Sequence, residues 1–202
     1  MGDLHREKVW DPVTRLWHWV LVIAVSLGWY FGEFMSFTTI QWHFYCGYTI
    51  LGLVVFRIIY GFIGPAPIRF GALLVSPREI ARYLKTVTRR EPSGTRGHNP
   101  LGSLSVLAMI ALLLAQASSG LFLESDDYFE AAPLAGFVSD AVSDPLTWWH
   151  KLMAKVILAV VALHVAAIFF YLVWKKENLI KPMITGWKLI RPRAADQHGS
   201  AE

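Results

Sequence analysis

Seven histidines offer the most informative chemistry in this sequence. His5 and His198 lie near the ends of the chain, and His98 lies in a basic connection. The remaining histidines lie inside long apolar runs: His18, His43, His150 and His164. An ionisable side chain within a membrane is costly and usually functional, and imidazole is a common iron ligand. These four are therefore candidate metal ligands, although a neutral histidine bonded to a carbonyl or serine is the alternative for any single one.

The apolar runs have the length of membrane spans. Of the 202 residues, 54% are hydrophobic and 17% are charged, whereas a soluble domain has about 25% charged residues. A helix needs about 20 apolar residues to cross a bilayer, and Asp11-Pro12 and Asp144-Pro145 have the pattern of helix starts. We predict an all-α membrane protein, a four-helix transmembrane bundle. Its spans are expected at about 12–34, 41–63, 100–123 and 145–173.

Two cytoplasmic segments outside the spans are predicted to form short interfacial helices. Ser76-Pro77-Arg78-Glu79 has the pattern of a capping box that opens a short interfacial helix. Residues 178–190 are expected to form another such helix. Residues 1–190 are thus predicted to be one domain, followed by a polar, disordered tail at 191–202.

The charges of the connections predict the orientation, because positive charge favours the cytoplasmic face. The connection between spans two and three is basic, as is the C-terminal tail, whereas the connection between spans three and four is acidic. The basic residues are Arg69, Arg78, Arg82, Lys85, Arg89, Arg90 and Arg96, then Lys175, Lys176, Lys181, Lys188, Arg191 and Arg193. The acidic residues are Glu124, Asp126, Asp127, Glu130, Asp140 and Asp144. Both termini are therefore predicted to be cytoplasmic. The net charge of +4 is attributed to topology and anionic lipid, not to nucleic acid.

The orientation assigns a depth to each of the four histidines. His150 and His164 are 14 residues apart on one helix, so they share a face and lie about 21 Å apart along the axis. Since span one starts inside and spans two and four start outside, His43 pairs with His150 at an outer level. His18 pairs with His164 at an inner level.

Two histidines from facing helices can hold both axial positions of one haem iron. The pattern therefore predicts two b-type haems and electron transfer across the bilayer. Covalent c-type attachment is excluded because no Cys-x-x-Cys-His motif occurs, and the single cysteine, Cys46, excludes a disulfide framework. The N-terminus does not have the pattern of a signal peptide.

Glycines and one arginine are predicted to surround the haems. Gly102 and Gly120 share a face of span three, and Gly32 lies on the face of span one that carries His18, so they would make room for a porphyrin. Ordinary helix packing explains each glycine as well. Arg57 is predicted to pair with a propionate near the inner level, and snorkelling to the interface is its alternative.

Several short motifs form a combination that is specific, although no single motif is. They are Val9-Trp10-Asp11-Pro12, Arg15-Leu16-Trp17-His18-Trp19, His43 with Gly47-Tyr48, Phe56-Arg57, Gly97-His98-Asn99-Pro100-Leu101-Gly102, and His150 with His164. Together they resemble the prokaryotic cytochrome b561 family and its relatives, the b-type cytochrome subunits of nickel-iron hydrogenases. The resemblance extends to about Trp187.

The resemblance implies a di-haem cytochrome b of the bacterial inner membrane that exchanges electrons between a quinone pool and a partner. The ligands carried over by position are His18, His43, His150 and His164, whereas His98 is not expected to be a ligand. A periplasmic c-type cytochrome or another redox protein is the expected partner. The acidic connection would steer a basic partner, or it merely reflects exclusion of positive charge. The sequence is also compatible with a homodimer.

Two other functions compete with this interpretation. Some family members oxidise superoxide at the outer surface and pass the electron to quinone, but the outer connections here carry no Lys or Arg to attract superoxide. A haem-free transporter would use the histidines as a proton relay. The spans lack the broken helices and carboxylates that such a path often uses.

Overall fold

A computed structural model describes residues 5–125 and 130–190, and helices dominate these residues. The helices are α1 (Pro12–Glu33), α2 (Ile40–Ile63), α3 (Phe70–Leu73), α4 (Pro77–Leu84), α5 (Pro100–Gly120), α6 (Asp140–Val173) and α7 (Ile180–Thr185). The strands are β1 (His5–Lys8), β2 (Glu124–Ser125), β3 (Glu130–Ala131) and β4 (Trp187–Ile190). Single 3-10 turns cover Ala66–Ile68 and Ala135–Phe137.

Three helices among the described residues, α2, α5 and α6, are long and apolar enough to cross a membrane. Helix α1 has 22 residues and would extend about 33 Å. It includes Arg15, His18 and Glu33, which lower its mean hydropathy. The fourth span therefore stays a prediction, as does the placement of the termini. The predicted tail at 191–202 lies outside the described residues.

Local capping explains where two helices begin. Helix α1 begins at Pro12, as predicted, and the Asp11 carboxylate accepts the amide and the hydroxyl of Thr14 at 3.0 and 2.5 Å. The capping box of α4 is also confirmed, because the Ser76 amide donates to Glu79 at 2.7 Å and the Glu79 amide donates to the Ser76 hydroxyl at 3.2 Å. Bonds from the Ser76 amide and hydroxyl lower the pKa of Glu79 below its ordinary value.

The last two long helices differ in their limits from the predicted spans. Helix α5 ends at Gly120 rather than near residue 123, and a turn follows it. Helix α6 begins at Asp140, so Pro145 lies inside it. The Val142 and Ser143 amides bond to the Ser139 carbonyl at 2.8 and 2.9 Å. The helix is therefore established before the proline, which removes only one hydrogen bond near its start.

Two short antiparallel ribbons depart from the all-α prediction. Strand β1 pairs with β4, with His5 opposite Ile190 and Lys8 opposite Trp187. Strand β2 pairs with β3. Residues 187–190, which were expected to be helical, are therefore a strand. Helix α7 covers only Ile180–Thr185, and Gly186 ends it with φ of 85°.

The contacts within the chain divide it into two compact units. We call one the terminal unit, which comprises Met1–Leu16, Gly61–Val106 and His164–Glu202. We call the other the bundle unit, which comprises Trp17–Tyr60 and Leu107–Leu163. The bundle unit packs around the buried side chains of Val54, Leu113 and Ile157.

The terminal unit is organised by its chain ends. The Gly186 carbonyl accepts the amides of Val9 and Trp10 at 2.9 and 3.2 Å. A Cβ atom at Gly186 would lie 2.6 Å from the Trp10 carbonyl oxygen, so glycine is required there by space as well as by its positive φ. The Trp10 ring packs against His98, with the ring centroids 4.9 Å apart.

Buried charges tie the basic connection to the C-terminal segment within the terminal unit. Lys188 and Glu177 are 6% and 7% exposed and lie 3.3 Å apart. Glu177 accepts the Ser93 amide and hydroxyl at 2.7 and 2.9 Å, and Lys188 donates to the Gly97 carbonyl at 3.0 Å. Burial lowers the pKa of Lys188, and the Glu177 carboxylate partly raises it again.

Replacing Glu177 tests this network. Glu177→Ala is expected to destabilise the terminal unit by roughly 3–5 kcal/mol, because it leaves the Lys188 ammonium buried without its counter-charge. Hydrogen exchange of residues 88–97 and thermal melting in detergent measure the effect. Glu91→Ala, at an exposed acid of the same segment, is the matched control. Equal exchange in the two variants would contradict the proposed role of the ion pair.

Candidate metal centre

His43 and His150 lie next to each other in the bundle unit. His43 is on α2 and His150 is on α6, and their ring centroids are 6.2 Å apart with the ring planes at 76°. Two imidazoles on one metal place their centroids about 6 Å apart, because the metal–nitrogen bond is about 2 Å and each nitrogen lies about 1 Å from its ring centre. The spacing of these two rings thus fits two axial ligands of one iron.

The hydrogen bonds of the two rings leave the same nitrogen, Nε2, available to bind a metal. The Nδ1 atom of His43 lies 2.9 Å from the Gly28 carbonyl oxygen, which can only accept, so Nδ1 carries the proton. The Nδ1 atom of His150 lies 3.0 Å from the Ser119 hydroxyl. That hydroxyl donates its only proton to the Gln116 carbonyl at 2.9 Å, so it accepts from Nδ1 of His150. Donation from Nδ1 in each ring fixes the tautomer that leaves Nε2 unprotonated. In each ring Nε2 is therefore the nitrogen that could bind a metal.

Two glycines give these rings their space. A Cβ atom at Gly32 would lie 2.9 Å from Cε1 of His43, and one at Gly120 would lie 3.1 Å from Cε1 of His150. Each ring thus lies directly on the backbone of a neighbouring helix, α1 for His43 and α5 for His150. Both glycines were predicted to make room for a porphyrin, and their immediate neighbours are the imidazole rings of the proposed ligands.

The residues predicted for the inner level lie in both units. His18 is half-buried on α1 in the bundle unit, with its ring edge-on to Trp19 at 5.4 Å. His164 is half-buried on α6 in the terminal unit. Gly102 lies in the first turn of α5, where its amide donates to the Asn99 side chain at 2.9 Å. The pairing of His18 with His164 and the haem contact of Gly102 stay predictions.

Arg57 is buried in the bundle unit, with 4% of its surface exposed. This burial favours the interior placement over snorkelling to the interface. A buried guanidinium is stable only where acceptors or an anion compensate its desolvation. A haem propionate is an anion of this kind, so the burial of Arg57 fits the predicted role without testing it.

Sequence reasoning missed the residues that hold the two rings. Gly28 lies one turn before Gly32 on α1, and Ser119 immediately precedes Gly120 on α5. Their positions beside the predicted glycines were the available indication. Asn99 caps α5 and donates to the Tyr171 hydroxyl at 3.1 Å.

Comparison with known proteins agrees with the motifs. The model of the prokaryotic cytochrome b561 family matches residues 9–186. The probable Ni/Fe-hydrogenase B-type cytochrome subunit of Rhizobium leguminosarum bv. viciae is 26% identical over 232 residues, covering 95% of this chain and 96% of that protein. The protein of the same name in Azotobacter vinelandii is 24% identical over 221 residues, covering 93% and 90%. This chain therefore belongs to the prokaryotic cytochrome b561 family and is a b-type cytochrome of the membrane.

Proposed function

We propose that this protein is a di-haem cytochrome b that carries electrons between the quinone pool and a redox partner across the bacterial inner membrane. The observation that carries the proposal is the pair His43 and His150, with ring centroids 6.2 Å apart and both Nδ1 atoms bonded. This pair would hold the outer haem. His18 and His164 would hold the inner haem.

The protein's own groups would position and tune the cofactors. Bound haem supplies a one-electron couple between ferrous and ferric iron. Helix α6 would carry one ligand of each haem, because His150 and His164 lie about 21 Å apart along it. Arg57, buried at 4% exposure, would neutralise a propionate. The apolar bundle would exclude water from the path.

The names of the relatives suggest the outer partner. Proteins similar along nearly their whole length are named as probable Ni/Fe-hydrogenase cytochrome subunits, so a hydrogenase is the proposed partner, in preference to a c-type cytochrome. Glu124, Asp140 and Asp144 are exposed and would attract a basic surface on such a partner. Asp126 and Asp127 of the same connection lie outside the described residues.

The haem content and its dependence on histidine test the proposal directly. The purified protein is expected to contain two low-spin b haems per chain. His43→Ala and His150→Ala should each remove the same haem, and His18→Ala and His164→Ala should each remove the other. Optical redox titration and the haem-to-protein ratio measure this.

His98→Ala is the control for these variants, because His98 packs against Trp10 and should leave both haems bound. A single haem per chain would refute the two-level arrangement. A colourless protein would refute the cytochrome and favour a histidine proton relay.

Gly32 tests the close approach of the outer ligand. Gly32→Ala adds a Cβ atom 2.9 Å from Cε1 of His43, so the ring must turn away at a cost of about 1–3 kcal/mol. We expect lower occupancy of the outer haem and an unchanged inner haem. Gly47→Ala on α2 is the control, because no atom lies within 4 Å of a Cβ atom there. Equal haem contents in both variants would contradict the geometry.

Neutralising the exposed acidic residues tests whether they attract a basic partner. Replacing Glu124, Asp140 and Asp144 with amides is expected to slow electron exchange with a basic c-type cytochrome probe roughly tenfold at low salt. The difference should vanish at high ionic strength. Glu91→Gln, in the basic connection, is the control. An unchanged rate of electron exchange would show that these carboxylates do not steer the partner.

A separate assay tests the alternative function. Superoxide consumption coupled to quinone reduction would favour the superoxide:quinone oxidoreductase.

A further inference from the structure

We propose that Ser119 is a positioning residue for the outer haem, which orients His150 and lowers the reduction potential of the iron that His150 would bind. The inference rests on the proposed function, because it concerns the axial ligand of that haem. Ser119 lies on α5 and contacts the proposed ligand His150, but it would not contact the iron.

The directions of the hydrogen bonds form a relay. The Ser119 hydroxyl lies 2.9 Å from the Gln116 carbonyl oxygen, and it donates there because a carbonyl only accepts. Its oxygen also lies 3.0 Å from Nδ1 of His150. Since the single hydroxyl proton is already used, Ser119 accepts from His150. The chain of donation therefore runs from His150 through Ser119 to the main chain of α5.

This relay distinguishes the two outer histidines. His43 donates directly to a main-chain carbonyl, that of Gly28, at 2.9 Å. His150 donates to a hydroxyl that is itself polarised by a carbonyl, and hydrogen bonds in series strengthen one another. Loss of the Ser119 hydroxyl would remove this polarised acceptor from Nδ1 of His150.

The bond at Nδ1 is chemically consequential for a metal ligand. Donation from Nδ1 raises the electron density at Nε2 and the basicity of the ligand, which stabilises ferric over ferrous iron. Hydrogen bonds to axial ligands are one of the protein's means of adjusting haem potential. A serine that merely bonds to the carbonyl three residues earlier is common in helices, and such a serine would leave the iron unaffected.

The contact with Gly120 restricts the ring further. A Cβ atom at Gly120 would lie 3.1 Å from Cε1 and 3.7 Å from Nδ1 of His150. The ring is therefore held at its edge by the glycine and at Nδ1 by the neighbouring serine. Consecutive residues of α5 thus provide the space and the acceptor for the same imidazole.

Spectroelectrochemical titration of the wild-type protein and four variants tests the inference. The wild-type protein is titrated first, and absence of two low-spin b haems would refute the proposed function itself. His43→Ala identifies which titration step belongs to the outer haem. In Ser119→Ala, the outer haem should move to a more positive potential while the inner haem stays unchanged. Its ferric electron paramagnetic resonance should shift as well.

Conservative and neighbouring substitutions complete the test. Ser119→Thr keeps the hydroxyl and should restore the wild-type potential, and Ser118→Ala on the same turn should leave it unchanged. Loss of the outer haem in Ser119→Ala with recovery in Ser119→Thr also supports the proposal. An unchanged potential and resonance in Ser119→Ala with both haems bound would overturn it. So would loss of the haem in both Ser119 variants.

Discussion

The approach of two imidazole rings to 6.2 Å is the constraint on which the bundle unit depends. A ring carried by one helix reaches its partner only if neighbouring helices leave space beside it and accept its Nδ1 proton. Helix α1 does so for His43 through Gly28 and Gly32, and α5 does so for His150 through Ser119 and Gly120. The proposed ligands on α2 and α6 can therefore approach each other only because α1 and α5 have small residues beside them.

The terminal unit obtains its order by different means. Its segments are short, and buried polar groups connect them in addition to buried apolar side chains such as Ile68 and Leu73. Lys175, 3% exposed, donates to the carbonyls of Val87 and Arg89 at 3.2 and 3.1 Å, and Lys188 bonds Glu177. Such groups contribute little net stability but penalise any arrangement that leaves them unpaired. These pairings determine the course of the basic connection between α4 and α5, which apolar packing alone would not determine.

The sequence predicted features that depend on nearby residues. The start of α1 at Asp11 and the capping box at Ser76 need only three or four residues, and both were confirmed. The ribbon of β1 with β4 joins residues about 180 positions apart, so no local pattern indicated it. Pro145 was misread because a proline near a helix start and one at its first position leave the same pattern. Ser119 was missed because serine is ordinary in helices.

The motif from Gly97 to Gly102 shows how a family signature can be structural. Asn99 caps α5 through Gly102 and donates to the Tyr171 hydroxyl, and the Gly97 carbonyl accepts from Lys188. Tyr171 lies seven residues after His164 on α6, which is about two turns. The motif therefore fixes the end of the helix that carries two of the proposed ligands. A substitution of Asn99 would therefore act on the proposed ligands through the placement of this end of α6 and not by removing an iron ligand.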